Sequence, residues 1–452
     1  MIKKILVANR GDIAVRIIRT CKEMGIKTVA IYSEIDKDCF HRFIADESIC
    51  IGPNNINKSY NNIDNIIYLA QKLKCDAIHP GFGFLSENSE FAEKCEESGI
   101  IFIGPTKEQM LLMGDKAKAR ETMVEIGVPV VPGSDSVIKS KEEARNEADR
   151  IGYPVIIKAS AGGGGKGMRI VSSESEIDNA FDMASSEALS AFGNGDLYME
   201  KFIENPRHIE VQVFGDKYGE AIHLGDRDCS MQRRNQKVIE ESPSPYLNKV
   251  ERDKLYKTAV NAVKGVGYAG AGTVEFIVDK NKNFYFIEMN TRIQVEHPVT
   301  EMVTGLDLIK LQIQIASGEK MPIKQEDIIF RGHAIECRIN AENAQLNFAP
   351  CPGTIDEINV PGGFGVRFDT FVYSGYTIPP IYDSMIGKLI CWADTREDCI
   401  RRMDRALDEI IIEGVKTNID FQSALINSDG FVNDTHHTKY IENEFLKYFR
   451  AE

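Results

Sequence analysis

The first 105 residues alternate short β-rich runs (KILVA, KTVAIYS, DAIHP, IIFIG) with amphipathic helical stretches such as DIAVRIIRTCKEMG, which ends on Gly25 as a helix C-terminus should. This alternation restricts the fold more than any other feature, because strands separated by helical crossovers build a parallel α/β sheet. From about residue 203 the pattern changes. Longer alternating runs (HIEVQVFGD, EAIHLGD, GTVEFIVD, NFYFIEMN), with one long helix expected before Gly265, predict an antiparallel α+β region. Between the two, a polar helix around GDKAKARETMVEIG and the punctuated VPVVPGSDS predict a hinge into a separate small unit. A last stretch from about Arg331 carries a strand around HAIECRIN, further Gly/Pro turns and a charged helix, REDCIRRMDRALDEIIIEG.

With 452 residues, 43% of them hydrophobic, the chain can bury ordinary globular cores and divides into two to four domains or subdomains. A formal net charge of −14 argues against a nucleic-acid or anionic-membrane surface, so any anionic ligand must meet a local basic cluster. The N-terminal MIKKILVANRGD stops being apolar at Asn9 and reads as a first strand rather than a signal peptide. No stretch approaches the roughly 18 apolar residues that span a bilayer. Ten cysteines without a C-x-x-C pair point to reduced thiols and a cytoplasmic protein. Cys229, inside DRDCSMQRR, is the one to follow, against the reading of a buried small apolar residue.

The segment KASAGGGGKGMRIV, over 158–171, contains four consecutive glycines, whose ordering is entropically costly. It matches G-x-G-x-x-G at Gly162, Gly164 and Gly167, yet MRIVSS after it is strand-like, so a dinucleotide loop leading into a helix is excluded. A P-loop is excluded because Gly167 follows Lys166 where Ser or Thr must reach magnesium. What remains is a strand–glycine loop–strand hairpin: a lid with Lys158 at the end of its entering strand and backbone N–H groups free for phosphate, or a merely flexible turn.

If GTVEFIVD and NFYFIEMN form a hairpin around the four-residue loop KNKN, Asp279 pairs with Phe284 and Glu275 lies opposite Glu288. Like charges so placed repel, unless a divalent cation ligates both or a register slip puts one in solvent. Asn290 points to the same face and adds a third hard oxygen, a set that suits Mg²⁺ or Mn²⁺. In the following MNTRIQVEHPVTE, an extended chain alternates Arg292, Gln294 and Glu296 on one face: a guanidinium, an amide and a carboxylate fit to hold and deprotonate a small planar oxyanion. QRRNQK, over 232–237, is the basic cluster an anionic ligand needs, although Arg233 or Arg234 could equally pair with surface carboxylates. His208, in NPRHIEVQV, either touches a ribose or caps a turn.

ANRGDIAVRI, IHPGFGFLSEN, FIGPT, MGDK, YPVIIKAS, GGGGKGMR, YMEKF, NPRHIEVQV, RDCSMQRR, FIEMNTRIQVEHPVTE, RGHAIECRIN, PGGFGVR and YDSMIGKLI together resemble the ATP-grasp superfamily and, within it, the biotin carboxylase subunit or domain of biotin-dependent carboxylases. The resemblance covers essentially the whole chain, and FIEMNTRIQVEHPVTE is its most specific segment. It implies an ATP-grasp fold: a parallel α/β N-terminal domain over 1–114, an ATP-grasp region over 115–330 with a small mobile lid at about 131–203, and an antiparallel C-terminal domain over 331–452.

The resemblance further implies that Lys116 and Lys158 bind ATP phosphates, that Gly164 and Gly165 belong to the lid, and that Glu200, Lys201, Phe202 and Ile203 line the adenine pocket. His208, Gln232 and Asn235 lie beside the nucleotide, and Glu275, Glu288 and Asn290 ligate two divalent ions. Lys237, Arg292, Gln294 and the backbone of Val295 bind bicarbonate, with Glu296 as base, while Phe82 and Arg338 meet biotin. The implied reaction is ATP-dependent formation of carboxyphosphate, which delivers CO₂ to N1 of carrier-bound biotin. Released phosphate is the base for that nitrogen, and Arg338 stabilises charge on the ureido oxygen. This is the first half-reaction of acetyl-CoA carboxylase, which leads to malonyl-CoA and fatty acids, or of a pyruvate or other acyl-CoA carboxylase. A carboxylate–amine ligase is the competing class, but it has no need of Arg292, Gln294, Glu296 and Arg338 as a set.

Asn235 stands where the family's histidine is expected, and Phe82 where tyrosine is common. No Met-Lys-Met biotin-attachment segment occurs in the sequence, so a biotin carboxyl carrier protein and carboxyltransferase subunits are expected on separate chains. A homodimer is implied, with Arg19, Glu23, Phe364 and Arg367 at its interface.

Overall fold

A computed structural model describes residues 2–134, 136–159, 168–192 and 195–449. They fall into two compact units, Met1–Val128 with Arg207–Ile277 and Glu288–Glu452, and Pro129–Pro206 with Val278–Ile287.

The first unit opens with β1 (Lys4–Val7), α1 (Gly11–Glu23), β2 (Lys27–Tyr32), β3 (Glu47–Cys50), β4 (Ala77–His79) and β5 (Ile101–Phe102). These strands form the expected parallel sheet, in the order β3-β2-β1-β4-β5. The edge strand β3, ESIC, is too short and too exposed for its alternation to be read beforehand. Helix α1 buries Ile13, Ala14, Ile17, Ile18 and Cys21 in one core with Ile5, Val7 and Ala77. This is the 3.6-residue spacing of a core-facing stripe, and each buried isoleucine contributes about 1.5–3 kcal/mol. The helix stops where Gly25 takes φ +71°, as expected. The polar segment after β5 forms two helices, Lys107–Gly114 and Lys116–Ile126, because the Asp115 carboxylate accepts from the amides of Ala117 and Lys118 and starts a new helix.

In the second unit, β6 (Val155–Ala159), β7 (Met168–Val171) and β8 (Leu197–Lys201) form an antiparallel sheet in the order β7-β6-β8. Lys158 pairs with Met168 on one side and Tyr198 on the other, so strands flank the glycine run as expected. The run itself, with Gly164 and Gly165, lies outside the described residues.

The chain continues with β9 (Arg207–Gly215), β10 (Ala221–Arg233), β11 (Gln236–Ser242), α2 (Lys249–Val266), β12 (Gly270–Val278), β13 (Phe284–Asn290), α3 (His297–Thr304), β14 (His333–Asn340), β15 (Val366–Thr370) and β16 (Met385–Ala393), all in the first unit apart from Val278–Ile287. One eight-stranded sheet runs β13-β12-β9-β10-β11-β14-β16-β15. The antiparallel strands expected after residue 203 and the strand HAIECRIN are thus members of the same sheet, joined where β14 pairs with β11.

Three local expectations are corrected. Helix α2 does not end before Gly265; it runs through it and stops at Gly267, φ +63°. A Cβ on Gly265 would meet Ile126 at 2.5 Å, so this glycine serves close packing rather than termination. The charged helix covers Arg396–Glu409 only, and Ile411–Ile412 leaves it to pair with Ile358–Asn359. The turn after β12 is also tighter than KNKN. Asp279 N–H donates to the Asn283 carbonyl and Lys282 N–H to the Asp279 carbonyl, with Lys282 at φ +65°. Asp279 therefore pairs with Asn283 rather than Phe284, because its carboxylate accepts from the amides of Asn281 and Asn283 and closes the turn locally.

Candidate active site

Strand alternation on β9 sends His208, Glu210 and Gln212 to one face, and β10 sets Arg227 directly opposite Glu210. All five N–H donors of Arg227 are used: on Glu210 (2.5 Å), Gln212 (2.7 Å), Thr300 (3.0 Å), Thr273 (3.1 Å) and Gln294 (2.8 Å). This fully buried guanidinium anchors four separate segments. Beside it, the Lys237 ammonium on β11 lies 2.6 Å from Glu210, 3.1 Å from Glu275 and 2.6 Å from Glu296. Burial would depress its pKa, but the neighbouring carboxylates of Glu210, Glu296 and Glu275 hold it well above the ordinary value.

Glu275 on β12 also receives Asn290 Nδ2 at 2.8 Å and Gln294 Nε2 at 2.7 Å, and lies 2.9 Å from His208 Nε2. Burial works against its ionisation, yet Lys237 and His208 keep the carboxyl well below the usual range. Glu296 is held low in the same way, against burial, by Lys237, Arg338 and Arg227. Arg338 on β14 completes the group, bonding Glu240 through Nε at 2.6 Å and Glu296 through Nη2 at 3.0 Å. The imidazole of His208, though buried, is shifted up by Glu275, and Gln232 Nε2 sits 3.0 Å from its Nδ1.

Gln294 and Glu296 do not converge by strand alternation. β13 ends at Asn290, the chain turns, and Glu296 immediately precedes α3, whose first turn contains Pro298. A proline with fixed φ and no N–H favours that helix start, so the expectation of an extended 292–296 segment is corrected. Arg292 donates through Nε to Glu87 at 2.9 Å and through Nη2 to the side-chain Oδ1 of Asn290 at 2.8 Å, and Asn290 in turn bonds Glu275. The Val295 carbonyl accepts from Lys388 at 2.8 Å.

Within 232–237, Lys237 and Gln232 join the cluster while the arginines turn away. Arg233 lies 3.8 Å over the Phe348 ring and 3.6 Å from Glu342, and Arg234 bonds Asn347 at 3.2 Å. Arg234 and Asn235 form a two-residue turn with φ of +52° and +64°, a conformation asparagine tolerates well, and Asn235 accepts from Lys439 at 3.3 Å. Cys229 is fully buried and its thiol is pushed well up by burial and Glu210, as the small-apolar reading expects.

Glu288 is half exposed and lies 3.6 Å from Lys116. Carboxylate, thiol and imidazole groups close enough to share an ion are, among the described residues, His208, Glu210 and Glu275, and Glu210, Cys229 and Glu296; Glu288 is in neither group. Phe82 is half-buried, with Lys388 Nζ 5.7 Å from its ring centre. In the second unit, Lys158 pairs with Glu200, and Lys201 Nζ donates to the carbonyls of Gly152 and Tyr153 at 2.8 Å each. The amides of Lys201 and Phe202 bond the carbonyls of Pro132 and Pro154, and Ile203 follows, half-buried.

Glu210, Arg227, Glu240 and Glu87 are the participants that sequence reasoning missed. Glu210 carried a signal, two residues after His208 on one strand face; Arg227 depends on a cross-strand register that no local pattern shows.

Comparison with known proteins matches residues 1–110 to "Biotin carboxylase, N-terminal domain", 115–324 to "Carbamoyl-phosphate synthase L chain, ATP binding domain" and 336–443 to "Biotin carboxylase C-terminal domain". Biotin carboxylase 1 of Bacillus subtilis is 57% identical over 443 residues, covering 98% of each chain. The solved biotin carboxylase subunit of a pyruvate carboxylase superposes with TM-score 0.93 at 54% identity, covering 100% of both chains. The biotin carboxylase domain dimer of Hydrogenobacter thermophilus 2-oxoglutarate carboxylase, in complex with MgADP, ADP and bicarbonate, superposes with TM-score 0.89 at 53% identity over 100% of both. With its three successive segments matched and its full length shared with such relatives, the chain belongs to the biotin carboxylase family of ATP-dependent ligases.

Proposed function

We propose that the buried cluster carries the ATP-dependent carboxylation of carrier-bound biotin by bicarbonate through carboxyphosphate. The observation that carries this reading is Glu296, held between the Lys237 ammonium and the Arg338 guanidinium. An anion taking up contacts to Lys237 draws that positive charge away from Glu296 and raises its carboxyl toward the range where it accepts a proton from bicarbonate. Arg292 and Gln294, with the backbone of Val295, orient the anion. Arg338 then faces the charge that develops on the biotin ureido oxygen, a preorganised cation in a mostly buried setting. Phe82 supplies an aromatic wall for biotin.

ATP is assigned, through the resemblance, to Lys116, His208, Gln232 and Asn235 and to Lys158, Gly164, Gly165, Glu200, Lys201, Phe202 and Ile203. Glu275, Glu288 and Asn290 offer hard oxygens only, which fits Mg²⁺ or Mn²⁺ by donor chemistry. Two such ions would neutralise phosphate charge. The half-exposed Glu288, already beside Lys116, and the Asn290 side chain, already on Glu275, are the groups that would hold them.

The reading extends to a cytoplasmic homodimer with the exposed Arg19, Glu23 and Phe364, and Arg367, at its interface, supported by the dimeric 2-oxoglutarate carboxylase domain. No helix among the described residues is long and apolar enough to cross a membrane. The carrier protein and carboxyltransferase sit on separate chains, and the reaction is the first half of acetyl-CoA carboxylase. A pyruvate or 2-oxo-acid acceptor is the second reading, favoured by the pyruvate and 2-oxoglutarate carboxylase neighbours. ATP cleavage by the purified protein with bicarbonate should rise when free biotin is added; no rise refutes the proposal. Glu296→Gln should abolish the biotin-dependent part while ATP still binds, and near-normal turnover would remove Glu296 from its role.

A further inference from the structure

The pairing of β11 with β14 sets Glu240 directly opposite Glu336, and both side chains are fully buried. Directly opposed residues on antiparallel strands have their Cβ atoms about 4.5–5.5 Å apart, and like charges there repel. On the other side of Glu336 the ladder places Ile390. Helix α3 packs over this face, where Val299, Val303, Ala334 and Ile390 form an apolar cluster. Of the four carboxylate oxygens only Glu240 Oε1 has a hydrogen-bond partner among the described residues: Arg338, at 2.6 Å from Nε and 2.5 Å from Nη2.

The cations around the pair, Arg338, Lys388 and Lys237, offset the repulsion only in part, because each is held by other partners. From β14, Arg338 is shared with Glu296 at 3.0 Å. From β16, Lys388 is committed to Asp12 of α1 at 3.2 Å and to the Val295 carbonyl at 2.8 Å. Asp369 on β15 is paired with Arg367, and Lys237 on β11 with its three glutamates. His297 at the start of α3 stays neutral, pushed down by burial and by Lys388, Arg16 and Arg367. Two carboxylates in one such site cannot both ionise.

We propose that Glu240 and Glu336 share a single proton, and that the one negative charge this leaves fixes the Arg338 guanidinium against Glu240, which makes Glu336 a positioning residue for carboxylation. Burial and the neighbouring carboxylates push Glu336 well above the usual range, and burial foremost moves Glu240 the same way. Loss of the proton leaves two anions competing for Arg338 and pulls it from its place beside Glu296.

The test uses the full chain with Glu336→Gln, which imitates the protonated acid. A carboxyl whose folded pKa exceeds its unfolded value near 4.3 binds a proton preferentially in the fold, so wild-type stability falls as pH rises above that value. Thermal unfolding followed by Trp392 fluorescence should therefore decline less steeply between pH 6 and 9 in the variant, with the gap widening as pH rises. Glu336→Met, which also removes the charge, should reproduce the shallower decline. Parallel declines in wild type and variants, or failure of both variants to fold, overturn the proposal. The second arm rests on the carboxylation reading: biotin-stimulated ATP cleavage should lose its alkaline fall in Glu336→Gln. Retention of that fall overturns the positioning role. Absence of biotin stimulation in wild type, with the two stability slopes still different, upholds the shared proton and instead counts against carboxylation.

Discussion

Replacing Lys237 by methionine keeps the length of the side chain and removes the one ammonium that three buried glutamates share, with Glu210, Glu275 and Glu296 at 2.6, 3.1 and 2.6 Å. Breaking a buried pair by deleting one partner costs about 3–5 kcal/mol. The fold can limit the loss by putting a proton on one of the three glutamates. From a solution pKa of about 4.3, at about 1.36 kcal/mol per unit, that escape costs about 4 kcal/mol at pH 7.5 and about 1 kcal/mol at pH 5. In wild type Glu275 and Glu296 have depressed folded pKa values, so their stabilisation is fully present above about pH 4.3 and stays constant between pH 5 and 7.5. In Lys237→Met the glutamate that takes up a proton titrates in the fold above its unfolded value, so the variant alone loses stability as pH rises from about 4.3, and its gap to wild type shrinks on acidification from pH 7.5 to 5. Urea unfolding followed through Trp392, the only tryptophan and part of β16 in the same sheet, reads the effect. A gap below about 1 kcal/mol at pH 7.5, or one unchanged at pH 5, would refute this account of the cluster's charge balance.

Gly332→Ala should destabilise the same sheet by about 2 kcal/mol or more, because its φ is +64° and a Cβ would stand 2.2 Å from the Ala393 carbonyl oxygen and 2.8 Å from Trp392 Nε1. An unfolding midpoint equal to wild type would contradict that. Lys158→Met, in the second unit, should raise the ATP dissociation constant roughly tenfold or more, since a charged contact to phosphate is worth about 1.5–3 kcal/mol. Calorimetric titration checks it, and an unchanged constant removes Lys158 from the nucleotide site.

The parallel N-terminal sheet, α1 with its stop at Gly25 and the strands flanking the glycine run were all legible because periodicity and glycine punctuation act over a few residues. His208, Glu275, Gln294 and Glu296 stood out as polar residues in otherwise apolar sequence, and the structure brings them into one cluster. The Asp279–Asn283 turn escaped because a single left-handed Lys282 and one carboxylate decide it, a choice the strand pattern does not encode. The bend that brings Glu296 to Lys237 escaped because α3 begins at once after it. Tertiary structure alone decided that Arg227 spends all five donors tying β9, β10, β12 and the segments beyond β13 together, and that Glu240 meets Glu336. Local sequence sets which face of a strand a side chain takes. Which charges end up sharing a buried space depends on register between strands far apart in the chain, and that is settled by packing and by the need to neutralise buried charge.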